Sequence, residues 1–201
     1  MGPPDRRVVL ASASAARARL LHAAGIGFDV MPAVIDEAAL KAACRGRYSA
    51  DACALMLASE KALRVSRSNP QALVLGADQI LVCESEWFDK PADLAAARAQ
   101  LQVLRGRTHF LETAVCAICG GELLWRFGTA PRLTMRRFDD GFLDNYLAIE
   151  GEAVLGSVGG YRLEAGGIQL FEAIDGDYFA ILGLPLLEVL GFLRRCGVID
   201  G

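Results

Sequence analysis

The sequence predicts an α/β fold built as one unit, with a mixed sheet that curves and is flanked by helices. Three observations support this. Strand-like apolar runs alternate with helix-like segments, two pairs of runs are joined by tight turns, and no internal repeat or linker interrupts the chain. Its 201 residues are enough for one substantial core. We therefore predict a single α/β domain over residues 1–201.

The N-terminal half is predicted to alternate strands and helices separated by breaker residues. Gly25 is placed to end the first helix, and Asn69-Pro70 to end the second. Ser49 or Asp51 can cap that second helix. The predicted elements are strands over residues 8–11, 28–31 and 73–82, and helices over residues 16–24 and 50–68, with an acidic loop at residues 36–37.

The C-terminal half is predicted to contain two hairpins among further helices. Gly120-Gly121 forms the turn of the first hairpin, and residues 175–177 form the turn of the second. Residues 156–167 are glycine-rich and irregular, which is typical of an active-site or dimer loop. The predicted elements are helices over residues 93–104, 139–147 and 186–196, a hairpin of residues 108–119 and 122–137, and a hairpin of residues 171–174 and 178–182.

Asp78 is the first candidate for chemistry, because it lies in the middle of the apolar run of residues 73–82. An ionised carboxylate is costly to remove from water, so one in a buried strand usually has a metal, a cation or a ligand beside it.

A second candidate is the loop between the first strand and the first helix. The start of a helix offers free N–H groups and a positive dipole end, which suit phosphate oxygens. Ser12 and Ser14 add hydroxyl groups, and Arg17 adds a planar fork of donors. The alternative is that these serines serve only as helix caps.

Lysine is rare in this chain, because 18 of the 21 basic residues are arginine. Each lysine is therefore considered as a candidate for a specific role. Lys61 lies on the long helix, and Lys90 precedes Pro91 in a restrained extended conformation. Either lysine alone could simply be solvated. The common glycine-rich nucleotide motifs and the Gly-x-Ser-x-Gly motif of serine hydrolases are absent.

Composition excludes several classes of function. A net charge of −3 argues against an extended basic surface for nucleic acid. Two histidines cannot supply a histidine-rich metal site, and no apolar run approaches the length that crosses a bilayer. The first seven residues lead into a strand without the pattern of a secretory signal, so we expect a cytoplasmic protein.

Taken together, these segments resemble the Maf family of nucleoside triphosphate pyrophosphatases over nearly the whole chain. Each match is short, but their order and spacing are jointly specific. The matching segments are residues 10–14 with Arg17 and Leu20-Leu21, Asp36-Glu37, residues 60–62, Gly76 with Asp78-Gln79, Lys90-Pro91, residues 106–109 with Thr113, residues 175–178 and residues 183–185.

The resemblance implies an inosine triphosphatase-like fold, in which two lobes surround a central cleft. It implies hydrolysis between the α- and β-phosphates of a nucleotide, with a divalent cation, Mg²⁺ or Mn²⁺. Asp78 would accept a proton from the attacking water or hold the metal, and Glu37 would be the second carboxylate near that metal. Arg17, Lys61 and Lys90 would neutralise the triphosphate, and Ser12 would bind phosphate oxygens.

Three positions depart from the usual family pattern. Ala16 stands where the family usually has a first arginine, and Ser157 stands where a later loop usually carries a lysine, so two cations are lost. Glu164 replaces the usual glutamine. The losses bear on the catalytic rate more than on the fold.

The third departure bears on base specificity. A glutamine both donates and accepts, whereas a carboxylate only accepts, which suits the adjacent N–H donors of guanine. Gln79 and Glu164 resemble the branch that favours 7-methyl-GTP, although that branch commonly has tryptophan where Ala16 stands. We predict a purine, methylated or not, over dTTP or UTP. The alternative is that Glu164 is a solvated loop residue.

Two further alternatives remain open. The family has also been linked to arrest of septum formation, so the chain could be a nucleotide-binding regulator with little turnover, or instead an acidic structural protein. The resemblance also implies a homodimer, while the composition predicts no membrane partner and no extended nucleic acid.

Overall fold

The computed structural model describes residues 7–200, and the first six residues, which bear on the expected absence of a secretory signal, lie outside them. The chain forms two compact units. Within residues 7–200, the first unit contains residues 7–78, 113–129 and 178–200, and the second contains residues 79–112 and 130–177. Within residues 7–200, no helix is both long and apolar enough to cross a membrane.

Strands and helices interleave along the chain. The strands are β1 (Val8–Leu10), β2 (Asp29–Val30), β3 (Leu73–Cys83), β4 (Glu86–Phe88), β5 (Thr108–Cys119), β6 (Glu122–Thr129), β7 (Arg132–Met135) and β8 (Phe171–Asp175). The helices are α1 (Ala15–Ala23), α2 (Glu37–Cys44), α3 (Ala50–Ser66), α4 (Leu94–Leu104), α5 (Asp140–Glu150), α6 (Tyr178–Ile181) and α7 (Leu186–Arg195).

The first unit contains parallel and antiparallel strand pairs. β1 pairs in parallel with β2 and with β3, placing Val9 opposite Asp29 and opposite Val74. β1 and the first part of β3 are buried throughout, as expected for parallel strands covered on both faces. The last part of β5 pairs antiparallel with β6 around Gly120-Gly121, so the first predicted hairpin turn is confirmed.

Helix α7 covers the apolar core of this unit. Val189, Phe192 and Leu193 on α7 pack with residues of β1, β3 and β5. Trp125 of β6 stacks on Phe192 with ring centroids 4.8 Å apart. These three residues of α7 recur at the three- and four-residue spacing of one helix face, which is the face that the core buries.

The second unit is built around antiparallel pairs. The last residues of β3 pair with β4, the first residues of β5 pair with β7, and β7 pairs with β8. Short 3₁₀ helices occupy much of the glycine-rich region after α5, over Gly151–Gly156, Val158–Gly160 and Gly166–Leu170. The α/β class with a mixed sheet and flanking helices is confirmed, whereas the single domain, its lobes and its cleft stay predictions.

The second predicted hairpin is wrong. β8 pairs with β7, with Ile174 opposite Leu133, and Tyr178–Ile181 is a short helix instead of a strand. Composition favoured a strand there because the segment is apolar. In the structure Thr113 Oγ1 donates to the Ala180 carbonyl at 3.2 Å, and both Ala180 and Ile181 are buried. Tertiary contacts therefore override the local preference.

Three smaller differences also have physical causes. The predicted strand over residues 122–137 breaks at Pro131, which cannot donate to a ladder, so β6 and β7 pair with different parts of β5. The acidic loop is the start of α2, because Asp36 Oδ1 accepts from the Ala39 N–H at 2.9 Å as a cap. The prediction also omitted the three-residue strand β4.

Candidate active site

Asp78 lies on the buried strand β3 and is only 5% exposed. Its Oδ1 atom lies 2.5 Å from Lys61 Nζ, so the carboxylate has the cationic partner that its burial requires. Its Oδ2 atom is also buried and has no hydrogen-bond partner within residues 7–200. One oxygen is thus held by Lys61, and the other is a buried acceptor that receives no hydrogen bond from the described part of the chain.

Lys61 lies on the buried face of α3 and is 7% exposed. Leu57 and Val65, four residues before and after it, are buried on the same face. The ammonium also lies 2.9 Å from Glu37 Oε1, so it bridges two carboxylates. Lys61 is therefore not a solvated helix lysine. Its i±4 spacing from two apolar residues was the sequence signal that could have shown this.

Gly76 explains how α3 comes close enough to β3 for this pairing. A Cβ atom at Gly76 would lie 2.1 Å from the Ala58 carbonyl oxygen and 2.8 Å from Ala62 Cβ. Only glycine permits that approach. Because Lys61 and Asp78 lie beside this crossing, the missing side chain at Gly76 helps to set their separation. The sequence identifies Gly76 only as part of a motif and does not predict this close approach.

Glu37 begins α2 and is the exposed member of the group, with 46% of its side chain accessible. Asp36 caps the helix immediately before it, which fixes the backbone from which Glu37 projects. A carboxylate in the first turn is also favoured by the helix dipole. The backbone of Glu37 is therefore fixed, and its exposed side chain contacts the Lys61 ammonium.

Arg17, in the first turn of α1, is buried and bonded to three parts of the first unit. Its Nη1 donates to Ser12 Oγ at 3.0 Å and to the Ala77 carbonyl at 2.8 Å. Its Nε donates to the Gly183 carbonyl at 2.8 Å. Arg17 thus ties the loop before α1 to the residue preceding Asp78 and to the turn before α7.

The charge of Arg17 is balanced by neighbouring carboxylates. Burial lowers the pKa of Arg17 from its ordinary value, and the charges of Asp78 and Glu37 oppose that shift. The hydroxyl of Ser12 accepts from the Ser14 N–H at 3.2 Å, while Ser14 caps α1 by accepting from the Arg17 N–H. The cap interpretation is thus right for Ser14, whereas Ser12 is buried beside the guanidinium.

The structure brings five of the predicted site residues together in the first unit: Ser12, Arg17, Glu37, Lys61 and Asp78. The predicted position Ala16 is partly buried on α1 in the same unit.

Three predicted residues, Gln79, Lys90 and Glu164, belong to the second unit. Gln79 follows Asp78 on β3 and is partly buried. Lys90 follows β4 and is exposed. Glu164 is an exposed residue, but its side chain is only 25% exposed and its Oε1 lies 3.7 Å from Arg162 Nε, so the side chain is not fully solvated.

The donor set of the first unit can be compared with what a divalent cation needs. Within residues 7–200, no three His, Cys, Asp or Glu side chains gather as a metal-binding group. Glu37 and Asp78 do meet at one point, the Lys61 ammonium. Mg²⁺ is commonly held by one or two carboxylates with substrate phosphates and waters. Glu37 and Asp78, whose Oδ2 has no hydrogen-bond partner within residues 7–200, fit a cation that substrate phosphates also hold.

Comparison with known proteins identifies the family of this chain. The family model described as Maf-like protein matches residues 7–196. A nucleoside triphosphate pyrophosphatase of Granulibacter bethesdensis is 54% identical over 94% of this chain and 96% of that protein. One of Paramagnetospirillum magneticum is 52% identical over 94% of this chain and 98% of that protein. A 7-methyl-GTP pyrophosphatase of Mesorhizobium japonicum is 47% identical over 97% of this chain and 98% of that protein.

The family model and these relatives each span almost all of the chain, including the residues gathered around Asp78. The chain belongs to the Maf family.

Proposed function

We propose that this protein is a nucleoside triphosphate pyrophosphatase. It hydrolyses the bond between the α- and β-phosphates of a nucleotide and releases a nucleoside monophosphate and pyrophosphate. The observation that carries this role is the buried carboxylate of Asp78, with one oxygen on Lys61 and the other without a donor among the described residues 7–200. The relatives are about half identical in sequence to this protein over nearly the whole chain, and their names support the same activity.

In this role Asp78 would accept a proton from the attacking water or hold the metal that activates it. A general base must lie within hydrogen-bond reach of that water, and Oδ2 is the oxygen not already committed to a protein donor. Lys61 holds Oδ1, which restrains the carboxylate and leaves Oδ2 to accept from another group. A carboxylate held in this way needs little reorganisation when the reaction occurs.

The cations of the chain balance the charge of the triphosphate. Lys61 and Arg17 place two positive charges close to Asp78, and Lys90 would add a third at the substrate. Ser12 and the start of α1 would bind phosphate oxygens through a hydroxyl and backbone N–H groups. Because Arg17 also makes three internal hydrogen bonds, it would act both by its charge and by positioning Ser12.

Glu37 and Asp78 would hold a divalent cation, Mg²⁺ or Mn²⁺, together with the substrate phosphates. Such an ion supplies charge neutralisation and lowers the pKa of water that it binds.

Glu164, Gln79 and Ala16 would contact the nucleoside. The carboxylate of Glu164 would accept from the N–H groups of guanine and attract the positive charge of a 7-methylated base. The small Ala16 would leave room that a larger residue would fill. We expect a preference for 7-methyl-GTP or another purine.

A panel of nucleotides tests the activity directly. Pyrophosphate release should be measured for 7-methyl-GTP, GTP, ATP, dTTP and UTP with Mg²⁺ or Mn²⁺, and without metal. We expect turnover that requires metal and is fastest with a guanine nucleotide. Faster hydrolysis of dTTP and UTP would overturn the base assignment. Tight binding of nucleotide without turnover would instead support the regulator of cell division, which the two lost cations at Ala16 and Ser157 favour.

A cytoplasmic location and a homodimer complete the proposed function. Free nucleotides are found in the cytoplasm, which is consistent with such an enzyme acting there. Sedimentation of the purified chain at several concentrations measures its oligomeric state, and a monomer throughout would exclude the dimer.

A further inference from the structure

The segment that carries Glu164 is held by a buried carboxylate on α5. The Glu150 side chain is 6% exposed, and its Oε2 accepts from Arg162 Nη1 at 3.0 Å. Its other oxygen, Oε1, accepts from the Gly166 N–H at 2.8 Å. One carboxylate therefore holds residues on both sides of Glu164.

The same segment closes tightly on itself. The N–H groups of Ala165 and Gly167 both donate to the Arg162 carbonyl, at 3.2 and 3.1 Å. A Cβ atom at Gly167 would lie 2.3 Å from that carbonyl oxygen. The Arg162 N–H donates in turn to the Tyr146 hydroxyl on α5. Glu164 thus projects from a turn whose backbone has little freedom.

Arg162 lies between two carboxylates that it contacts at unequal distances. Its Nη1 is hydrogen-bonded to the drier Glu150 at 3.0 Å, whereas its Nε lies 3.7 Å from the more exposed Glu164. The shorter pair is the stronger, because Coulomb attraction grows as distance and solvent exposure decrease. Glu150 therefore holds Arg162 more strongly than Glu164 does, and keeps the guanidinium from moving closer to Glu164.

We propose that Glu150 is a positioning residue for base recognition, which keeps Arg162 from neutralising Glu164 and so preserves an acceptor for a guanine or a cationic 7-methylated guanine. This role rests on the proposed function, because it deepens the part assigned to Glu164. A neutral side chain at position 150 would still accept from Gly166 but would release Arg162 towards Glu164.

The test compares Glu150→Gln with Glu152→Gln, an exposed glutamate two residues further along. Calorimetry measures the Kd values of 7-methyl-GMP, GMP and UMP, which have no bond that the enzyme can cleave. Kinetics measure KM and kcat for the triphosphates. We expect Glu150→Gln to weaken both guanine nucleotides about tenfold, with kcat and the UMP affinity little changed. Glu152→Gln should match the wild type.

Two further variants separate positioning from simple stability. In a Glu164→Gln background, Glu150→Gln should have no additional effect on the ratio of guanine to uracil affinities. Arg162→Gln should act in the opposite direction and increase the preference for 7-methyl-GMP over GMP. If Glu150→Gln does not fold, the result for Arg162→Gln decides whether the positioning role holds.

Equal weakening of all three monophosphates by Glu150→Gln, or an unchanged ratio, would overturn the positioning role. A wild type that releases no pyrophosphate would overturn the proposed activity instead. The monophosphate affinities would still report on Glu150 in that case.

Discussion

Lys61 Nζ lies 2.5 Å from Asp78 Oδ1, in a part of the first unit where both side chains are buried. The pair joins the helix α3 to the strand β3, and Glu37 shares the same ammonium at 2.9 Å. A buried ion pair is weak support for stability by itself, because desolvation offsets the attraction. Its presence here is better explained by the chemistry of Asp78.

Asp78→Asn should abolish most of the turnover. The amide keeps the size of the side chain but cannot accept a proton from water, so we expect kcat to fall by about 10²–10⁴-fold. Pyrophosphate release under saturating nucleotide measures this. The matched control is Asp29→Asn, which removes an exposed carboxylate paired with Arg7 in the same unit and should keep full activity. Wild-type turnover by Asp78→Asn would remove Asp78 from the mechanism.

Lys61→Met should destabilise the protein as well as inactivate it. Two carboxylates would lose their shared cation, and breaking a buried pair from one side costs about 3–5 kcal/mol. Chemical denaturation measures the free energy of unfolding. Arg64→Met, an exposed cation on the same helix, should change it little.

The coupling between Lys61 and Asp78 can be isolated in a double variant. When Lys61→Met is combined with Asp78→Asn, neither an unpaired lysine nor an ionised Asp78 remains. The combined loss of stability should therefore be smaller than the sum of the two single losses. Additive losses would show that the two groups do not stabilise each other.

Gly76→Ala should separate β3 from α3. The new methyl group would collide with the Ala58 carbonyl, and overpacking of this kind costs about 1–3 kcal/mol or more. We expect a lower free energy of unfolding and a lower kcat, because Lys61 and Asp78 move apart. Gly128→Ala is the control, since its Cβ would meet nothing closer than the Thr113 carbonyl at 3.9 Å. Equal stability of the two variants would contradict the close approach.

His109 should make the protein sensitive to acid. It is buried, its Nε2 lies 2.8 Å from the Tyr161 hydroxyl, and burial lowers its pKa from 6.5 to about 4. The folded state therefore favours neutral histidine. This contribution to stability is complete above pH 6.5 and is lost as the pH falls towards 4, to a total of about 3 kcal/mol.

Denaturation of wild type, His109→Gln and His22→Gln between pH 7.5 and 4 measures this effect. His22 lies on α1 and is exposed, so its replacement should leave the pH profile unchanged. His109→Gln should flatten the profile in that range. Profiles that coincide for wild type and His109→Gln would show that His109 does not contribute.

Much of the fold could be predicted because it is written in local patterns. Asp93 caps α4, Gly25 follows α1, and Gly120-Gly121 turns the hairpin of β5 and β6. These residues act through their own backbone and near neighbours, so their effect does not depend on the rest of the fold. The segment Tyr178–Ile181 was mispredicted because an apolar run of four residues has no periodicity that separates helix from strand.

The candidate site shows the same division. A carboxylate within an apolar run identified Asp78, since the cost of burying a charge can be read from its sequence neighbours alone. No local pattern could show that Lys61 meets Asp78, that Arg17 bonds the turn before α7, or that Glu150 holds the Glu164 segment.

The sequence by itself determined the α/β class, most of the elements and the residue types available for chemistry, because propensity, capping and hydrophobic period act over a few residues. Only the tertiary structure decided which of those residues meet. A contact between distant residues depends on how helices and strands pack, as at Gly76, where the absence of one side chain lets α3 approach β3.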